Sequence, residues 1–332
     1  MKPASILKKH RYRITYAGFD VDNRILISTG SQNKLIAWNI ENPDRPRKIV
    51  SLAVCSGLVY TAELNPSGTV LAAENGNRGT VLLNVANLPE IERLAVLPAV
   101  EPVMRLAFSH GGERLAIAEM GNRISIWDVS ENSSPRRLVT MEPPTAGQLM
   151  RLEMAAAMAF SPDGSLLATT GWDSGVILWE VSDSRRPKRI ASFASEYADV
   201  GVYSLSFSPD GSILGTSEIL STGGVANLWD VSDPLKVRLV SSIKRPGDTI
   251  SVVAFSPRGK LLAAEGPDAG VSMWNVSDPS RPVPVDIRLG DFGFLTRASF
   301  SANSRLLVST HAAEKPDFRL MLWNLDELFP IR

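Results

Sequence analysis

Short apolar stretches alternate with polar, turn-forming clusters along the whole chain, and they recur in a fixed order. Each unit reads as a strand ending in an apolar or aromatic residue, a tight turn, an alternating strand, a polar loop and a strand ending near Trp. Apolar positions spaced for stacked helices are missing, so a helical solenoid is excluded by pattern.

The turn is plainest at Ser161-Pro162-Asp163-Gly164 and Ser208-Pro209-Asp210-Gly211. Proline there presets φ and glycine accepts the positive φ that closes a hairpin. Looser versions are Asp20-Val21-Asp22-Asn23, Asn65-Pro66-Ser67-Gly68, Ser109-His110-Gly111-Gly112, Ser256-Pro257-Arg258-Gly259 and Ser301-Ala302-Asn303-Ser304, each following Phe or Leu. From the first turn residue the chain reaches Trp38, Leu83, Trp127, Trp179 and Trp274 after 18 residues, and Trp229 and Trp323 after 21 and 22. The extra residues are expected in loops. Successive Trp-equivalent positions lie 45, 44, 52, 50, 45 and 49 residues apart, the period of a four-stranded propeller blade. After each comes Asp, Asn or Glu, then an aliphatic residue, a polar turn and a fourth strand, as in Arg47 to Leu52, Arg136 to Met141, Lys188 to Phe193 and Lys236 to Ile243.

Trp127-Asp128-Val129, Trp229-Asp230-Val231 and the Phe-Ser-Pro-Asp-Gly segments resemble the WD40-repeat family over essentially the whole chain. The resemblance implies an all-β, seven-bladed β-propeller of four-stranded antiparallel blades. Blades are expected at 12–52, 58–97, 102–141, 153–193, 201–243, 249–288 and 294–332, with 3–9 as the outer strand of the last blade. Pairing of Ala4 to Lys8 there would close the ring and remove an open sheet edge. The family also implies a buried His, Ser or Thr, Asp and Trp set in each blade, which no blade here keeps whole. His10, Ser28 and Trp38 share one blade with Gln32 at the acid position; Thr169, Asp173 and Trp179 share another without a His. Asp268 faces Ala264, while Thr216 and Ser309 have no acid partner. Apolar packing is therefore expected to carry more of the stability than these networks.

Lys plus Arg equals Asp plus Glu at 35 each, so no global field draws nucleic acid or membrane. The apolar fraction of 44% fits a folded chain with a real core. Cys55 is the one cysteine, which excludes an intramolecular disulfide and fits a reducing compartment. The first residues lack the apolar stretch of a secretory signal and no long uncharged apolar run follows. A cytoplasmic, monomeric protein without membrane insertion is expected.

No Gly-rich phosphate loop, Gly-x-Ser-x-Gly elbow or HExxH helix is present, so no catalytic residue, metal ligand or cofactor is assigned. His110 falls on the rim opposite His10 and His311, which approach one face where the first and last blades meet. Arg45, Arg47, Lys48, Arg136, Arg137, Arg185, Arg186, Lys188 and Arg189 fall on or near outer strands. Edge protection explains them better than an anion-binding stripe, because Asp44, Asp183 and Asp233 are interleaved.

Loops from second to third strands, and from each fourth strand to the next blade, share one face around the central channel. On it fall Glu74, Glu119, Glu218, Glu265, Asp173 and Asp268, with Arg123 and Arg78 as partial counter-charges. Converging acids imply attraction for a basic peptide or Arg side chain. Trp172, Met120, Tyr197, Ile219, Leu220, Phe292 and Phe294 are candidate apolar anchors on the same face. The leading expectation is a non-catalytic scaffold docking a protein or peptide there. One alternative is a small-ligand or metal-binding propeller enzyme using Glu74, Glu265, Asp173 and His311 in the channel. A lesser one is an anionic-surface or nucleic-acid binder using the outer-strand Lys and Arg, against which zero net charge counts.

Overall fold

The computed structural model describes residues 2–55, 57–76, 79–120, 123–141, 157–171, 175–194, 201–220, 223–246, 250, 252–266, 270–289, 294–312 and 318–327. They form seven separate four-stranded sheets, each antiparallel throughout. The innermost strands, in blade order, are Ile14–Phe19, Ala62–Leu64, Val103–Phe108, Met158–Phe160, Val202–Phe207, Val252–Phe255 and Phe294–Phe300. Each neighbours the next, and the seventh neighbours the first, so they ring a central channel. The outer strand of the seventh blade is Ser5–Leu7, paired with Phe318–Asn324 through Ser5↔Leu322, Ile6↔Met321 and Leu7↔Leu320. The closure expected from the sequence is therefore formed.

All seven turns between first and second strands are one turn. The fourth residue donates its amide to the carbonyl of the first, at 2.7 Å for Gly259 to Ser256 and 3.2 Å for Asn23 to Asp20. The fourth residue takes positive φ everywhere, including Asn23 and Ser304, which stand where five blades have Gly. The residue after each Trp-equivalent acid or amide also repeats one contact. Ile40, Val85, Val129, Val181, Val231, Val276 and Leu325 donate to the carbonyl just before the second strand. Asn39, Asn84, Asp128, Asp230, Asn275 and Asn324 use their side chains to accept the amide two residues on. The acid of the Trp-Asp pair is thus a turn-forming group on the rim.

The core consists of apolar interfaces between neighbouring blades. Trp38 packs in the cluster shared by blades 7 and 1 with Leu7, Ile14, Leu320 and Leu322. Trp127 packs between blades 2 and 3, and Trp179 between blades 3 and 4. Polar staples supplement these interfaces. The Tyr16 hydroxyl accepts the Leu64 amide at 3.0 Å, and Ser206 Oγ accepts the Phe255 amide at 3.1 Å. Gly18 leaves the room that the Tyr16 ring needs, since a Cβ there would collide with its hydroxyl.

One expectation is corrected. The added residues in blade 5 extend a hairpin, with Ile213–Leu220 against Gly223–Asp230 and ladder pairs continuing through Ile219↔Gly224 and Leu220↔Gly223. Lengthening both strands satisfies the added amides within the sheet, which an open loop would leave to solvent. The outer strand of that blade runs Arg238–Pro246, later than the Lys236 start expected.

Candidate partner-binding face

The hydroxyl and Trp pairs inside the blades are real. Trp38, Trp179, Trp229 and Trp323 donate their indole N–H groups to Ser28, Thr169, Thr216 and Ser309 at 3.2, 3.0, 3.1 and 2.8 Å. In blade 3, where Ile117 replaces the hydroxyl, Trp127 turns to Ser125 at 2.9 Å. His10 Nε2 lies 2.8 Å from Ser28 Oγ, and His311 Nε2 lies 2.8 Å from Ser309 Oγ. Each histidine is engaged by a serine of its neighbouring Trp pair. Among the described residues no group of three or more His, Cys, Asp or Glu is placed to hold a metal ion.

Burial, and then the nearby Lys34 charge, push the His10 pKa down to about 4 from an ordinary 6.5. Between those values the unfolded chain binds more protons than the native one, so this contribution to stability is complete above pH 6.5 and is lost as pH falls toward 4. The loss amounts to about 3 kcal/mol at one pKa unit per ~1.4 kcal/mol. Urea midpoints of wild type and His10→Gln should therefore differ most at pH 7 and converge or cross near pH 4.5. A gap that stays constant with pH would contradict this assignment.

Three of the six acids expected to charge the loop face are withdrawn from solvent. Glu74, Glu119 and Glu218 are buried. Glu74 accepts the Tyr60 amide at 2.7 Å, and Glu119 accepts the amides of Val100 and Glu101 at 2.8 and 2.9 Å. Each carboxylate thus ties the end of its second strand to the loop entering its own first strand. Thr170 does the same in blade 4, accepting the Ala157 amide at 2.7 Å. Glu218 instead takes the Asn227 amide group at 2.9 Å, and Asn227 in turn accepts from Ser242 at 2.6 Å. Burial pushes the Glu74 pKa up to about 7 against the opposing pull of the Tyr60 and Thr61 amides. Carboxylates beside unpaired loop amides gain more from those donors than from water, and sequence spacing does not reveal the donors.

Of the other residues assigned to this face, Trp172, Asp173, Tyr197, Asp268, Phe292 and the counter-charge Arg78 lie outside the described residues. Glu265 pairs in the ladder with Val252 and Val271, and Phe294 with Ala312. Arg123 is half-buried, as is Leu220 at the tip of the blade 5 hairpin. Met120 is exposed, as expected.

The structure adds exposed apolar groups that the sequence pattern does not single out. Tyr12, Leu58, Tyr60 and Val100 are 46%, 47%, 56% and 71% exposed, beside Met120 at 41%. They occupy the loops entering the first strands of blades 1, 2 and 3 and the second turn of blade 3, so all lie on the loop face. The available signal was alternation: in Leu58-Val59-Tyr60, Val59 is fully buried between two exposed neighbours. Exposed Lys8, Lys9, Arg11 and Arg13 flank Tyr12. On the opposite rim, a cleft of about 530 Å³ lies between blades 1 and 7, with Asp22, Arg24, Glu41, Arg305 and Asp326 in its lining.

The family described as "WD domain, G-beta repeat" matches residues 155–180 and 188–230, the blades that hold both Ser-Pro-Asp-Gly turns. The chain is similar to Protein LST8 homolog of Drosophila melanogaster, 26% identical over 179 residues, which are 51% of this chain and 51% of that protein. It is also similar to Nuclear distribution protein PAC1 of Arthroderma otae, 26% identical over 140 residues, covering 38% of this chain and 30% of the relative. Nuclear distribution protein nudF 2 of Penicillium rubens matches at 29% over 146 residues, 40% and 30% of the two chains. The matched stretches thus span about half or less of these relatives. With seven four-stranded antiparallel blades, one repeated turn and Trp-hydroxyl pairs, the chain is a seven-bladed β-propeller whose repeats are similar to those of the WD40-repeat proteins.

Proposed function

We propose that this propeller is a non-catalytic scaffold that docks a protein partner on the loop face of blades 1 to 3. WD40-repeat proteins are generally scaffolds of this kind. The observation that carries the reading is the group Tyr12, Leu58, Tyr60, Val100 and Met120, exposed on one face of a rigid frame. Large apolar groups gathered on one face and rimmed by charge mark interaction sites.

A basic partner loses the support of Glu74, Glu119 and Glu218, which are committed to internal hydrogen bonds. Lys8, Lys9, Arg11 and Arg13 around Tyr12 instead favour a partner with acidic residues beside an apolar anchor. We assign the protein to the cytoplasm, where its lone thiol would stay reduced.

The enzyme alternative loses two of its four groups, because Glu74 is held by Tyr60 and His311 by Ser309. The double variant Tyr60→Asp, Val100→Asp should lose the proteins that wild type retains from native extract. Leu235→Asp, on the opposite rim and 76% exposed, should retain them. Equal recovery by all three would refute docking on this face.

A further inference from the structure

The inner strands of four blades share an irregularity at one level of the channel. In blades 1, 3, 5 and 7 the ladder to the second strand slips at Thr15, Met104, Tyr203 and Thr296, just before Tyr16, Arg105, Ser204 and Arg297. A residue inserted in this way bends its strand and re-aims the side chain beside it. The four residues after the slips pair with Thr29, Ala118, Ser217 and Thr310, each three positions past the leucine opposite its Trp. They therefore stand at one height around the ring. The equivalent residues of the other blades are Thr61, Ala157 and Val252, the first two marked by the Glu74 and Thr170 amides bonding their carbonyls.

This ring carries two arginines, Arg105 and Arg297, on blades separated around the channel, while blades 4 to 6 contribute only Ala157, Ser204 and Val252. Arg105 Nη1 donates to the carbonyl of the inserted Met104 at 2.8 Å, which holds the guanidinium beside the slip. Arg13, at the entrance to the first inner strand, adds a third charge to the same field, and both Arg297 and Arg13 act on Arg105. Burial and these two neighbours together pull its pKa down to about 9. The acid that faces Arg297 is Glu63, one step along the inner strand of blade 2. Burial raises the Glu63 pKa to about 7, so near neutrality this carboxyl offsets less than one full charge. Arg105 and Arg297, with the exposed Arg13 at the rim, outnumber Glu63 in this part of the channel, so an anion there meets net positive charge.

We propose that the loop-face end of the channel binds a compact oxyanion of the size and charge of phosphate or sulfate, held between Arg105 and Arg297 with Arg13 at its entrance. Planar guanidinium groups match such oxygens through paired N–H donors. The proposal is separable from partner docking, because Arg105 and Arg297 lie on the inner strands and the anchors lie in the loops, with Arg13 alone common to both.

The test is thermal unfolding in inorganic phosphate against chloride at matched ionic strength. Phosphate, and sulfate more weakly, should raise the wild-type midpoint by a saturable amount, as a ligand of the native state must. The rise should vanish in Arg105→Met and Arg297→Met and persist in Arg93→Met, an exposed arginine of the blade 2 outer strand. Arg105→Lys preserves the charge if the methionine variant folds poorly, and should keep a reduced shift. Glu63→Gln should tighten the apparent phosphate affinity by about tenfold or less, the scale of removing one nearby like charge. No wild-type shift beyond chloride, or an equal shift in every variant, would overturn the site.

Discussion

Leu7→Asp is expected to lower the stability by at least about 4 kcal/mol, whereas Ile6→Asp one residue earlier costs less than about 1 kcal/mol. The contrast is strong because both residues belong to a strand of three, Ser5–Leu7. Alternation points Leu7 into the cluster between blades 7 and 1, where it is 6% exposed beside Ile14, Leu320 and Leu322. Ile6 points outward and is 39% exposed. A carboxylate at position 7 would lose that apolar contact and lie unpaired against aliphatic neighbours. The closing strand should then detach, leaving the Phe318–Asn324 edge open to other chains. Urea denaturation gives the loss of stability, and size-exclusion chromatography should show self-association of Leu7→Asp alone. Equal effects at the two positions would contradict the register of the closure.

Arg114→Met is expected to cost about 2 to 4 kcal/mol, a large effect for one residue outside the apolar core. Its guanidinium leaves blade 3 and bonds three groups of blade 4: the carbonyls of Val181 and Gly164 at 2.9 and 2.8 Å, and Ser184 Oγ at 2.9 Å. It also lies over the Phe160 ring at 5.4 Å. Glu113 at 3.7 Å is half-exposed and adds little. Methionine would keep some of the packing and remove every donor. Arg114→Lys should recover less than half, since one ammonium cannot span acceptors set for a planar fork. Full recovery by lysine in urea titrations would show that charge alone mattered. Gly164 belongs to the same joint, because a Cβ there would run into the Arg114 guanidinium.

The two predictions differ in how visible their residues were beforehand. The closing strand was readable, because Ala4 to Lys8 had no blade of its own and the seventh unit was short of a strand. Arg114 carried no signal of its own. It stands beside a turn, as several surface arginines do, and its acceptors lie 50, 67 and 70 residues later in the chain. Blade 5 shows a similar limit, since counting residues gave an insertion and only the ladder through Leu220↔Gly223 showed that it lengthens strands. On the loop face, the burial of Glu74, Glu119 and Glu218 departs from the acidic mouth expected there. Glu74 and Glu119 looked like an acidic mouth because their partners are backbone amides, which every loop possesses and no sequence motif advertises. Tyr60 and Val100 were overlooked because exposure of an apolar residue depends on what packs over its loop.

By itself the sequence determined the number of blades, their turns and the way the ring closes. Those features follow from local rules: period-two apolar patterning, Pro and Gly at fixed turn positions, and a repeat length that four strands require. Tertiary structure alone decided which charges are free. It paired Glu74 and Glu119 with amides of their own blades and brought Arg105 and Arg297 to one level of the channel. That outcome depends on distances between strands some two hundred residues apart in sequence, and the free energy of a charge is set by its surroundings in space.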